Sequence, residues 1–195
     1  MSGTDPSLLV RTARDLAQVL LRDLPPRWRH TIAVARRADE LTATVDGDDP
    51  DVLVAAAWLH DIGYADALTD TGFHPLDGAR HLDKLGWSPR ITALVAHHSG
   101  AGFVAQARGL QPQLNEYPLE QSAMSDALTY ADQTVDPTGQ RTTVAQRMAD
   151  TLLRDGPNSS HAAARGLREP YLLALADRVE HRLARVKPQA KGAVA

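Results

Sequence analysis

An all-α fold is what this chain of 195 residues predicts. Three observations carry it. Apolar residues recur at three- and four-residue spacing along most of the chain, the period of a helix buried on one face. Proline and glycine clusters fall between the periodic stretches, where helices stop and start. No run of alternating β-branched residues marks a strand. The length fits one domain spanning 1–195.

The elements follow in order. Leu9, Ala13, Leu16, Leu20 and Leu24 give a first helix, which Pro25-Pro26 should stop. A second begins near Arg27, with His30 in line with Val34, Ala38, Leu41 and Val45. Asp49 is placed to cap a third, with Pro50 at its first position. That helix is apolar almost all round, as a central buried helix should be. Gly63 ends or bends it. After the loop TDTGFHP, Leu76, Ala79 and Leu82 carry a short helix to Gly86. Ser88-Pro89 opens the next, with Ile91, Leu94 and Val95 inward. Residues 99–121 read as less regular. A helix around Leu128 to Val135 ends before Pro137. C-terminal helices over 142–154 and 169–186 should complete the chain, with a frayed tail at 187–195.

Composition narrows the functions. Net charge is -3 with histidines neutral, so no general pull toward nucleic acid or an anionic membrane is expected. Cysteine is absent, which excludes disulfides, thiolate metal sites and a cysteine nucleophile. No apolar run is long enough to span a bilayer, and the first residues do not read as a signal peptide. A cytoplasmic protein is the expectation.

The chemistry lies in polar residues set on apolar faces. His60-Asp61 closes the most apolar stretch of the chain. His60 continues the face of Leu53, Ala56 and Ala57; Asp61 continues that of Val54, Ala57 and Trp58. His30 lies on the second helix's inward stripe, and Asp132 falls between Leu128 and Val135. His98 is seven residues after Ile91, and so continues that helix's buried stripe, whereas His97 points about 100° away. His74 stands at a helix start. One such residue alone reads as a hydrogen-bonded core group. Four histidines and two aspartates with no inward lysine or arginine make a poor core and a good cage for divalent metals. A carboxylate with two oxygens can bridge two ions about 3.5–4 Å apart, which together activate water and clamp attacking and leaving oxygens.

The ordered set His30, His60-Asp61 and Asp132, with HDIG at 60–63, resembles the signature of the HD-domain metal-dependent phosphohydrolase superfamily. The stretches FHPLDGARHL, VAHHSG and LTYADQTVDP are similar to segments of small bacterial YqeK-like HD hydrolases. The likeness covers a motif-bearing core of about 27–140. It implies the HD-type helical bundle. It also implies one divalent ion on His30, His60, Asp61 and Asp132, and a second on His74 and His98 with Asp61 bridging. Fe, Mn, Zn, Ni and Mg all suit such donors. His60 and Asp61 are the catalytic candidates, and the implied substrate is a nucleotide or other small phosphate compound. The chain departs from that branch at Gly63-Tyr64-Ala65-Asp66, where a lysine is usual, and in a longer stretch between Ser99 and Ser122. Dinucleotide specificity is therefore not carried over.

Arg27, Arg108 and Arg141 are weaker candidates for substrate phosphate, each also readable as a solvated arginine. Tyr64 and Trp58 read as core, and Asp66 as a helix cap. His81, His97 and His161 read as surface residues or supports, and His181 as solvent-facing. The same six residues also suit an HD-fold di-iron oxygenase or a non-catalytic nucleotide-sensing module. A homodimer is compatible with all three.

Overall fold

The computed structural model describes residues 7–45 and 47–186, and they form an all-α bundle. The tail expected to fray lies outside the described residues. Helix α1 (Leu8–Leu21) is capped by Ser7, whose side chain accepts from the Val10 N–H at 3.3 Å. Its buried stripe is Val10, Ala13, Ala17 and Leu21, one position round from the leucine stripe expected. The small alanines let α1 lie close on α3 (Pro50–Leu59), while Leu9, Leu16 and Leu20 cover the edges. Helix α2 (Pro25–Leu41) starts two residues before Arg27. Both prolines belong to its first turn, where a missing N–H costs nothing.

Asp49 caps α3 by accepting from the Asp51 N–H at 2.9 Å. Leu53, Ala55, Ala56, Ala57 and Leu59 are sealed from solvent, so α3 is the centre of the main core. Helices α1, α2, α5 (Pro89–His97) and α8 (Ala123–Gln133) pack around it. Helix α8 begins earlier than expected, because Ser122 and Ser125 cap each other's backbone in a capping box. It ends at Gln133, and Val135 leaves it for an isolated antiparallel bridge to Arg141.

The stretch from 99 to 121 is not irregular. It folds into α6 (Ala101–Ala107) and α7 (Gln111–Leu114). These join α4 (His74–Lys84) in a second, smaller core of Phe73, Leu76, Ala79, Ala96, Val104, Ala105 and Leu114. Helix α9 (Val144–Asp155) follows Thr143, which caps it. The last helix, α10 (Ser160–Val186), starts nine residues before the expected Glu169 and runs through Pro170. A proline inside a helix costs about 3 kcal/mol. Burial on both sides of it offsets that: Ala164 and Arg168 before, and Leu172, Leu175, Ala176 and Val179 after. No helix among the described residues is long and apolar enough to cross a membrane.

The end of α3 is joined to α4 more tightly than any side chain would allow. A Cβ on Gly63 would lie 2.1 Å from the His74 carbonyl oxygen and 2.6 Å from the Gly78 nitrogen. Both are backbone atoms of α4 and cannot swing aside. Gly63→Ala should therefore cost about 3 kcal/mol or more, a fall of at least about 6 °C in Tm for a chain of this size. A thermal melt of the variant within about 1 °C of wild type would show that the two segments part easily.

Candidate metal centre

The end of α3 delivers two side chains to one point. His60 follows Leu59 in helical conformation, and Asp61 opens the short 3-10 turn Ile62–Tyr64. His30 comes from the buried stripe of α2, Asp132 from the last turn of α8, and His74 from the first residue of α4. His98 lies one residue beyond α5, not within it as its spacing from Ile91 suggested. Helix α5 ends at His97, and His98 begins a tight turn with φ -57° and ψ 157°. Its ring still turns inward, because Nδ1 reaches back to the Val95 carbonyl at 2.6 Å. All six side chains meet in two adjoining triads, His30–His60–Asp132 and Asp61–His74–His98.

The ring nitrogens are oriented by backbone. His30, His60 and His98 each hold Nδ1 against a carbonyl oxygen, of Asp136 (2.9 Å), Ala57 (2.7 Å) and Val95 (2.6 Å). A carbonyl only accepts, so Nδ1 carries the proton and donates it. The Nε2 lone pairs are left pointing inward. There they face carboxylate oxygens: His30 Nε2 is 2.9 Å from Asp132 Oδ1, and His60 Nε2 is 3.7 Å from it. Asp61 divides its oxygens. Oδ2 lies 3.4 Å from His60 Nε2 and 3.8 Å from His30 Nε2. Oδ1 lies 3.3 Å from His74 Nε2 and 3.9 Å from His98 Nε2. Lone pairs and carboxylate oxygens converging this closely repel one another unless a cation or a proton stands between them.

The cluster fits divalent ions by that test and by a second. His60 Nε2 is fully buried and has no hydrogen-bond partner, a cost of about 1–3 kcal/mol unless something binds there. At Asp61, Asp132, His74 and His98 the charge states agree. Burial pushes the Asp61 carboxyl up, but Arg27, His60 and His74 outweigh it and hold it well below the usual range. Burial opposes ionisation of Asp132 too, and the hydrogen bond and charge that His30 supplies when its ring is protonated overcome it. Burial, helped by neighbouring cationic groups, holds His74 well below the usual imidazole value, and His98 is lowered for the same reasons. His60 moves the other way: burial disfavours its charge, and the carboxylates of Asp61 and Asp132 more than compensate. Ionised carboxylates and neutral imidazoles are the ligand forms.

A family model for the HD domain matches residues 27–134, which contain all six clustered residues. The chain belongs to the HD domain family. No curated protein and no solved structure matches it. HD domains are typically metal-dependent phosphohydrolases.

Around the six, this HD domain holds supports that its sequence did not announce. Asp132 keeps Oδ1 toward the histidines because its Oδ2 is occupied by the Ser99 hydroxyl and by Gln133 Nε2 at 2.8 Å. Ser99 is the one non-glycine residue with positive φ among the described residues (58°). Its N–H donates to Thr129 Oγ1 at 3.1 Å, and its carbonyl accepts from Arg168 Nε at 3.0 Å. A left-handed serine held at both ends is backbone strain maintained at a site.

Arg27 does reach the cluster: its Nη1 donates to Asp61 Oδ2 at 2.7 Å. Its guanidinium lies 3.8 Å over the Tyr64 ring, and Tyr64 stacks on His74 with ring centroids 4.0 Å apart. Tyr64 is thus an exposed cover rather than core, beside a cavity of about 240 Å³ lined by Leu24, Pro26, Arg27, Tyr64 and Pro137. Trp58 is half-buried against Trp28. The other two arginines are engaged elsewhere. Arg108 donates to the carbonyls of Thr71 and Gly72 and pins that loop. Arg141 pairs with Glu40. Asp66 makes no capping bond. His97 donates Nε2–H to the Tyr117 carbonyl at 2.8 Å and lines a cavity of about 470 Å³ that none of the six touches. His161 pairs with Asp155, and His181 is exposed.

Proposed function

We propose that this protein is a dinuclear-metal phosphohydrolase acting on a phosphoester or phosphoanhydride of a nucleotide or another small phosphate compound. The observation that supports it best is the division of Asp61, one oxygen toward each triad. A carboxylate so placed serves two cations at once. His30, His60 and Asp132 would hold one ion and His74 and His98 the other, with Asp61 shared. Bound divalent ions supply Lewis acidity, which makes water nucleophilic at neutral pH and neutralises charge on phosphorus and the leaving oxygen.

The chain's own groups do the rest. Carbonyls of Ala57, Val95 and Asp136 fix the imidazole rings before any ligand arrives, so little reorganisation is left for the reaction. Ser99 and Gln133 fix Asp132 in the same way. Arg27 stands over Asp61 with a donor fork that suits phosphoryl oxygens, and the Tyr64 ring keeps it there.

The direct test is metal analysis of protein purified without added metal, coupled to a phosphate-release screen over nucleotides and simple monoesters. Two divalent ions per chain and phosphate release are expected. Two irons with no release from any phosphate compound would favour an oxygenase on the same donors.

His97 and His98 give a sharper test within one turn. His98→Ala should lose the ion of its triad and about 100-fold or more of the activity. His97→Ala leaves every cluster atom in place and should keep the metal content, with activity within about tenfold. Equal metal loss in the two variants would remove His98 from the ligand set.

A further inference from the structure

The cavity beside His97 has no part in the chemistry described so far. It holds about 470 Å³, within the range of about 300–1,000 Å³ common for small-molecule sites. Its walls come from His97, from the segment between Ser99 and Ser122, and from Tyr171 of α10. The turn after α5 joins it to the metal centre. His98 gives its ring to the cluster and Ser99 its hydroxyl to Asp132, while His97 and Gly100 on either side line the cavity. A second cavity of about 10 Å³, room for one water molecule, shares His97, Leu119 and Tyr171 with the larger one and is also lined by His98. His98 thus touches both the cluster and this cavity system.

The lining is aromatic, amide-bearing and uncharged. Phe103, Tyr117 and Tyr171 supply the rings, and Phe103 meets Tyr171 with centroids 5.3 Å apart at 56°. A Cβ on Gly100 would touch both of those rings, at 3.4 and 3.5 Å, so the backbone of the turn is itself part of the wall. Four carboxamides, of Gln106, Gln111, Asn115 and Gln121, provide polar atoms. Gln111 Nε2 donates to Asn115 Oδ1 at 2.7 Å, which leaves Gln111 Oε1 as an acceptor and Asn115 Nδ2 as a donor with no partner among the described residues. His97 donates through Nε2 to the Tyr117 carbonyl, so its Nδ1 is a further acceptor. No lysine, arginine, aspartate or glutamate lines the cavity.

We infer that this cavity binds an uncharged planar heterocycle, the base of a nucleoside or nucleotide. Aromatic walls stack on a flat ring, which is worth about 1–3 kcal/mol per base. The edge of a base carries donors and acceptors side by side, and carboxamides pair with such edges. An alkyl chain would displace water from the carboxamides and leave them unpaired. A phosphate or carboxylate would find no cation in the lining, so any charged end of the ligand stays outside the cavity. The inference stands on the lining alone and does not need the phosphohydrolase reading. The base can come from two sources: the substrate acted on at the cluster, or a separate nucleoside whose binding is felt through the His97–Gly100 turn.

The test uses the full-length, metal-loaded protein with adenosine, guanosine, cytidine and uridine, none of which carries a phosphate. Calorimetry and thermal shift should show one binding site per chain for at least one of the four. Gly102→Leu fills the cavity: Gly102 lines it from α6, and a Cβ there would meet no protein atom within 4 Å. Asn115→Leu keeps the bulk and removes the donor. Neither should lower the melting temperature or the metal content, since leucine is a better helix former than glycine and Asn115 is exposed. Both should weaken the nucleoside Kd about tenfold or more. Binding of none of the four to wild type, or a Kd in Gly102→Leu within about twofold of wild type, would overturn the inference. Turnover then separates the sources. A bound nucleoside that raises KM alone marks the cavity as the place of the substrate's own base; one that changes kcat marks a separate ligand. Nucleoside binding without phosphate release from any nucleotide upholds the inference and sinks the phosphohydrolase reading alone.

Discussion

Asp61→Ala is expected to strip the protein of both ions and of all measurable phosphate release. The five other ligand candidates each belong to one triad. Asp61 faces His60 and His30 with one oxygen and His74 and His98 with the other. Its loss leaves each triad with imidazoles and at most one carboxylate, too little negative charge to hold a divalent ion firmly. It also frees Arg27, whose Nη1 donates to Oδ2 at 2.7 Å. An unpaired guanidinium there repels incoming cations. The expected loss of turnover is about a thousandfold or more, on the scale of removing an essential catalytic group. Asp61→Asn separates charge from shape: it keeps the volume and should fail almost as badly. Both variants should still show helical circular dichroism, because the core around α3 does not depend on the carboxylate. Two equivalents of metal in the alanine variant, with turnover within tenfold of wild type, would sink the bridging role.

The second large effect concerns stability. The six donors come from α2, the end of α3, α4, the turn after α5, and α8. An ion that binds them binds the folded chain far better than the unfolded one, and so stabilises it. At a free metal concentration about a hundred times Kd, one site contributes about 2.7 kcal/mol. For 195 residues that corresponds to about 5–10 °C in Tm, with more for two sites. Chelation should lower the melting temperature by that amount, and adding back Mn or another divalent ion should restore it. The main core around α3 is apolar and does not include the six donors, so the chelated protein should melt cooperatively rather than collapse. Superimposable melts with and without confirmed metal would mean that hydrogen bonds alone hold the cluster.

The six clustered residues were legible because each breaks a pattern. A histidine or aspartate on an apolar stripe stands out against leucine, valine and alanine, and the HD pair sits where α3 is most apolar. The fold class was legible for the same reason: helical periodicity is local. What was not legible depends on contacts far apart in sequence. Ser99 and Gln133 look like ordinary polar residues until the fold sets them on Asp132. Arg108 and Arg141 were grouped with Arg27 by residue type alone, yet only Arg27 is carried to the cluster. Arg168 was passed over because an arginine on an amphipathic helix is usually solvated. The start of α10 was misplaced because Pro170 reads as a helix opening, and only its packing partners show that the helix runs through it. His98 was given the right direction by the wrong route, since α5 stops one residue before it.

The spread of the donors along the chain has a consequence in time. His30 and Asp132 touch across 102 residues of sequence, and Arg168, which holds the turn after His98, comes later still. During synthesis at about 5–20 residues per second, helices α1, α2 and α3 can pair seconds before α8 exists. The Asp61–His74–His98 triad can therefore form before α8, whereas the His30–His60–Asp132 triad is complete only once α8 has joined the scaffold. Refolding from denaturant should show helix recovery first and metal uptake as a separate, later phase.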